Sequence, residues 1–129
     1  MVTRIFIVDD ERMMVEAFRE ILRKEGIEVA GWSYDGEDAA HTYAALSPRP
    51  DIVIMDHRLP IKNGIEVMTE ILKLEPSTRV LFVSADVTAR RPAISAGASG
   101  FITKPFKIAQ LLAAIRTIEG KGAAGNGVT

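Results

Sequence analysis

Four short stretches of this chain hold residue types that can do chemistry on phosphate or on a metal ion: Asp9-Asp10-Glu11, Asp56-His57-Arg58, Ser84-Ala85-Asp86 and Lys104-Pro105. Three carboxylates brought into one space repel one another and require a counter-charge. Oxygen-only ligands select a hard cation, and Mg2+ characteristically takes one or two carboxylates together with water and phosphate oxygens. A lysine such as Lys104 adds a compact positive donor for phosphate, and Ser84 adds a neutral hydroxyl. In those surroundings a carboxylate can act as a nucleophile toward phosphorus, with metal and ammonium neutralising the group it gains. Asp56 is the candidate for that role.

Taken singly, each stretch has an ordinary explanation. Asp9 or Asp10 reads as the N-cap of a following helix, Asp56 as a turn residue and Ser84 as another N-cap. Position is what joins them. Each stretch directly follows an apolar run, and open parallel sheets bind their ligands beyond the carboxyl ends of the strands.

The apolar runs are Ile5–Val8, Val29–Trp32, Ile52–Met55, Val80–Val83 and Phe101–Thr103, the second weaker than the rest. Runs of this length bounded by polar residues read as strands buried on both faces. Helix-period segments separate them. Met14, Phe18, Ile21 and Leu22 form one apolar stripe that stops at Gly26. Asp35-Gly36 turns into a helix through Ala39, Ala40, Tyr43 and Ala44. Val67, Met68, Ile71 and Leu72 follow a loop with Pro60 and Asn63-Gly64, and Pro76 ends that helix. A short helix is expected around Pro92–Ala96, with Pro92 tolerable in its first turn. The last helix carries Ile108, Leu111, Leu112, Ile115 and Ile118 on one face. Five βα units in series, with right-handed crossovers, predict a doubly wound α/β domain with a parallel sheet. Residues 1–120 form that domain, and 121–129, with Gly122, Gly125 and Gly127, read as a flexible tail or the start of a linker.

Composition narrows the function classes. The chain has 129 residues, 47% hydrophobic and 26% charged, which suits one domain with its own core and excludes a disordered or disulfide-built chain. A formal net charge of -1 argues against general nucleic-acid or anionic-membrane binding. The absence of cysteine removes thiol catalysis and thiolate metal sites. No apolar run approaches the ~20 residues of a membrane span and no signal peptide is evident, so a cytoplasmic location is expected. His41 reads as a helix-surface residue, and His57 has no second histidine to make a zinc site. Met13, Met14 and Met55 fit core packing, Trp32 the edge of the sheet, and Arg90-Arg91 a solvated helix start.

With these residues in view, the chain resembles the receiver domain of two-component response regulators over residues 3–119. The resemblance is carried by Ile7-Val8-Asp9-Asp10-Glu11, by Asp56 with Pro60 and Gly64, by Ser84-Ala85, and by the run from Ala96 through Lys104-Pro105-Phe106. It implies a flavodoxin-like strand order of 2-1-3-4-5 and a switch phosphorylated on Asp56 by a histidine kinase or phosphotransfer protein. Asp9, Asp10, Asp56 and the backbone carbonyl of Arg58 match the family's Mg2+ ligands, Asp10 more directly than Asp9. Lys104 matches the lysine that contacts phosphoryl oxygens, Ser84 the hydroxyl switch position and Phe101 the switch aromatic. The implied readout is the surface of the fourth helix, fifth strand and fifth helix, through which a downstream protein, or a second copy in a dimer, would be engaged. No direct nucleic-acid or membrane contact is implied for this chain.

Against the family pattern, the stretch from Ala85 to Gly100 is about two residues short, so a short or displaced fourth helix is expected. Arg58 and Asp86 flank the expected site and are positioned to pair across its mouth. Three rivals fit less well. An aspartyl-phosphate phosphohydrolase needs an acid two positions after its nucleophile, where this chain has Arg58. A flavin mononucleotide binder needs a Ser/Thr/Gly-rich phosphate loop where Asp9-Asp10-Glu11 stands. A phosphorylation-independent binding module would have no use for Asp56, Lys104 and both acids together.

Overall fold

In the computed structural model, which describes residues 3–124, the chain alternates strand and helix throughout. The elements are β1 (Arg4–Val8), α1 (Arg12–Lys24), β2 (Glu28–Ser33), α2 (Gly36–Ala44), β3 (Ile52–Met55), α3 (Gly64–Leu74), β4 (Arg79–Ser84), a 3-10 turn (Val87–Ala89), α4 (Arg90–Ser95), β5 (Gly100–Thr103) and α5 (Ile108–Ala124). The helical backbone of α5 passes residue 120, and the rest of the tail expected over 121–129 lies outside the described residues. The five strands pair in parallel in the order β2-β1-β3-β4-β5, the flavodoxin-like order. None of the described helices is long and apolar enough to cross a membrane.

Side chains alternate across a strand, so each strand feeds two cores. Ile5, Ile7, Ile52, Ile54, Leu81, Val83 and Ile102 pack against Val15, Phe18 and Leu22 of α1 and Leu111, Ile115 and Ile118 of α5. The intervening residues Phe6, Val8, Val53, Met55, Val80, Phe82 and Phe101 pack against α2, α3 and α4, through Tyr43, Met68, Ile71 and Ala93. Burying any one of the larger side chains contributes ~1.5–3 kcal/mol. β2 is an edge strand, and there Trp32 is partly covered by the Arg19 guanidinium, 4.0 Å from the ring.

Three local expectations are corrected. Glu11, not Asp9 or Asp10, occupies the N-cap of α1 and makes no side-chain cap; Asp9 Oδ1 instead accepts the Glu11 N–H at 2.9 Å. Met13 is 87% exposed, because it lies across α1 from the Met14–Phe18–Leu22 stripe. Ile108 is 55% exposed at the first position of α5, before the buried stripe begins at Leu111. The fourth helix is short, with six residues, and the 3-10 turn leads into it so that Pro92 falls in its first turn.

α3 begins with a capping box. Asn63 Oδ1 accepts the Glu66 N–H and Glu66 Oε1 accepts the Asn63 N–H, both at 2.9 Å. Just inside that cap, Gly64 allows a close approach: a Cβ there would stand 2.3 Å from the Asp56 carbonyl oxygen.

Candidate phosphoryl and metal site

The sheet ladder continues beyond the ends of its strands, and this fixes the rim. The Asp9 N–H donates to the Ser33 carbonyl at 3.2 Å, the Asp56 N–H to the Val8 carbonyl at 2.9 Å, and the Lys104 N–H to the Ser84 carbonyl at 2.9 Å. Residues 9, 56 and 104 are thus held by backbone bonds at the ends of β1, β3 and β5.

The acids do converge. One carboxylate oxygen from each of Asp9, Asp10 and Asp56 lies within 4.8 Å of the others. Asp9 and Asp56 are buried and Asp10 is exposed, so the cluster opens on one side. Lys104 Nζ reaches into it, donating to Asp9 Oδ2 at 2.9 Å and to Asp56 Oδ2 at 3.3 Å. Glu11 Oε1, to which the sequence assigns no role, stands 3.7 Å from the same ammonium. Burial raises the Asp9 pKa, more than its hydrogen bonds from the Glu11 N–H and Lys104 lower it. Burial works against the charge of Lys104, but its hydrogen bonds and attraction to Asp9 and Asp56 prevail and raise its pKa. Both shifts describe one arrangement, a desolvated acid pocket whose charge is partly offset by a single lysine.

The donor set fits a hard divalent ion. It is all oxygen, two of its acids are desolvated and one faces outward, and its spread is comparable to the ~4 Å across an octahedral Mg2+ shell.

Ser84, Arg58 and Phe101 are engaged outside this cluster. Ser84 is buried at the end of β4, where its hydroxyl oxygen accepts the Asp86 N–H at 3.2 Å. Asp86 caps the 3-10 turn, accepting from the Thr88 N–H at 3.1 Å, and its carboxyl is held below the usual range chiefly by the Thr88 hydroxyl. The expected pair across the mouth is present, with Arg58 Nε 3.6 Å from Asp86 Oδ2. Phe101 is only 9% exposed and stacks on Phe82, with centroids 6.1 Å apart and planes at 10°. The sequence gives no warning of this stack, because it follows from the β4–β5 register that pairs residues 82 and 101.

The β3–α3 loop that carries Arg58 is pinned from behind. The Gly36 N–H donates to the Pro60 carbonyl at 3.2 Å, and a Cβ on Gly36 would lie 2.1 Å from the Lys62 carbonyl oxygen. Between these contacts Ile61 adopts φ 72°, a left-handed conformation unusual for a β-branched residue. On the other side of the pocket, an apolar groove of about 450 Å3 lined by Met14, Ile21, Ala85, Pro105 and Phe106 is shared with Lys104.

Comparison with known proteins points the same way. The profile of the response regulator receiver domain matches residues 5–116. Protein CcdB of Bacillus subtilis (strain 168) is 40% identical over 120 residues, spanning 92% of this chain and 98% of that protein. Chemotaxis protein CheY of Thermotoga maritima is 38% identical over 117 residues, spanning 89% of this chain and 96% of its own. Among solved structures, a CheX–CheY–BeF3–Mg2+ complex from Borrelia burgdorferi aligns with a TM-score of 0.85 at 28% identity, over 91% of this chain and 89% of that one. A CheY-like receiver domain protein from Methanospirillum hungatei JF-1 shares the fold, with a TM-score of 0.88 at 23% identity over 98% and 100% of the two chains.

Proposed function

The chain belongs to the response regulator receiver domain family of two-component signalling, and from that premise we propose that it is a switch set by phosphorylation of Asp56. The observation that carries this reading is the placement of Lys104 Nζ 3.3 Å from Asp56 Oδ2 inside an acid cluster at the strand ends. An Asp56 carboxylate oxygen attacks the phosphorus of a phosphohistidine donor in line. The new O–P bond forms as the P–N bond breaks, and that electron pair leaves on the donor's imidazole nitrogen. Lys104 turns part of its hydrogen bonding from Asp9 and Asp56 to a phosphoryl oxygen, so a preformed donor meets the developing charge. Asp9, Asp10, Asp56 and the Arg58 carbonyl would hold Mg2+, which supplies charge neutralisation for the transferring group. The apolar groove beside Lys104 gives the donor protein a surface to rest on while its histidine enters the pocket.

Phosphorylation then draws the Ser84 hydroxyl away from the Asp86 N–H and toward a phosphoryl oxygen, which reshapes the loop leading into α4. The α4–β5–α5 face, including Phe101 and the half-exposed Ile94, is the surface a downstream protein would read. The phosphoryl group shifts this equilibrium only by its different contacts in the two arrangements.

Incubation with acetyl phosphate and Mg2+, followed by intact-mass measurement, tests the proposal. One base-labile, acid-stable phosphoryl group is expected on the wild type, none on Asp56→Asn, and none in EDTA. Equal labelling of Asp56→Asn would overturn it.

A further inference from the structure

Phe101 is not held by its own strand alone. It is buried against Phe82, and the exposed Arg90 at the first position of α4 lies with its guanidinium carbon 5.9 Å from the Phe101 centroid. Phe82 in turn lies 6.4 Å from the ring of His57, the residue next to Asp56. The row His57, Phe82, Phe101, Arg90 therefore runs from the phosphoryl pocket to the start of the short fourth helix. Phe82 and Phe101 are rings fixed between paired strands and core, and His57 is a partly buried ring in the loop after β3. Arg90 alone is a flexible surface side chain.

We propose that Arg90 is a positioning residue for Phe101, whose inward orientation against Phe82 it stabilises before any phosphoryl group is present. This deepens the reading of Asp56 and Phe101 as parts of one switch and rests on it. A cation over an aromatic ring is attracted by the ring quadrupole, and the pairing seen is made with the ring in its buried position. Any inward bias supplied by Arg90 is one the phosphoryl group need not supply, so the unphosphorylated chain already populates the inward arrangement. Arg91 has the same charge and follows directly on α4 but makes no such contact among the described residues, so it separates this pairing from a general effect of positive charge.

Fluorine NMR of 4-fluorophenylalanine-labelled protein tests this. The Phe101 signal is assigned by its loss in Phe101→Leu, and its exposure is read from the H2O/D2O shift. In the absence of phosphodonor, Arg90→Ala is expected to raise the outward-to-inward ratio of Phe101 about two- to five-fold. Arg90→Lys should fall between, and Arg91→Ala should match the wild type. Addition of beryllofluoride with Mg2+ should return Arg90→Ala to the wild-type inward position. An unchanged Phe101 signal in Arg90→Ala overturns the proposal, and so does an equal change in Arg91→Ala. If Arg90→Ala moves Phe101 while beryllofluoride moves nothing in either protein, the Arg90 assignment stands and the reading of Asp56 fails.

Discussion

The acid pocket and the β4–α4 segment are neighbours built on different principles. In the pocket, residues 9, 56 and 104 are fixed by main-chain bonds that prolong the sheet, and Asp9, Asp56 and Lys104 are nearly closed to solvent. From Ala85 to Thr88, ahead of α4, the chain leans on side chains: the Ser84 hydroxyl, the Asp86 carboxylate and the Arg58 guanidinium. Main-chain ladders open only with their strands, whereas a side-chain bond exchanges by one rotamer change. Under the proposed function, the chemistry sits on the first kind of support and the segment that rearranges sits on the second.

The contrast can be broken most severely at Lys104. Lys104→Met removes the ammonium from a desolvated acid cluster, and we expect phosphorylation by acetyl phosphate to slow by about 10²-fold, as for loss of one preorganised donor. The buried Asp9 charge is left without its partner, so urea denaturation should show a loss of about 3 kcal/mol, part of it recovered with Mg2+. Asn63→Ala probes the support rather than the chemistry. Losing the α3 capping box should cost about 1 kcal/mol in thermal unfolding and leave the phosphorylated yield unchanged.

On the softer side the expected effects are kinetic. Arg58→Ala should leave stability unchanged, whereas Asp86→Ala should also cost about 1 kcal/mol through loss of its cap on the 3-10 turn; on the reading that the pair across the mouth slows entry of water, both should shorten the life of the phosphoryl group a few-fold, measured as its decay after donor removal. Equal decay rates in the wild type and both variants would remove the pair from the account.

The smallest effect is expected far from both regions, at Tyr43. Burial raises its pKa above the ordinary value of about 10, despite the hydroxyl's contact with Thr78. As pH rises past the unfolded value, the unfolded chain releases this proton while the folded chain keeps it, so stability falls across that alkaline window. Tyr43→Phe should flatten that limb of the stability curve without altering phosphorylation.

The rim of the sheet was legible because buried parallel strands are apolar on both faces, so a polar residue at the end of each run stands out. That is how Asp9, Asp56, Ser84 and Lys104 could be named from their order alone. What stayed hidden depends on pairing or on competition among near neighbours. Asp9 bonds the Glu11 N–H, so the helix starts uncapped by either aspartate. Ser84 gives the capping role to Asp86, two residues on. Met13 and Met14 look alike in sequence, but one helical step of 100° sends them to different environments. The Phe82–Phe101 stack exists only once β4 and β5 are in register.

The loop after β3 carries a different lesson about what substitution can reach. Gly36 and Gly64 bring backbone against it where no methyl group fits, and its route is accordingly imposed on Ile61, which accepts a left-handed twist at ~1–2 kcal/mol. The side chains at 58 and 61 face solvent along this track, while Leu59 packs against the core. The two exposed residues can be exchanged to suit a new donor or a new rate of hydrolysis, while the course of the track, and with it the oxygen atoms it presents, stays the same.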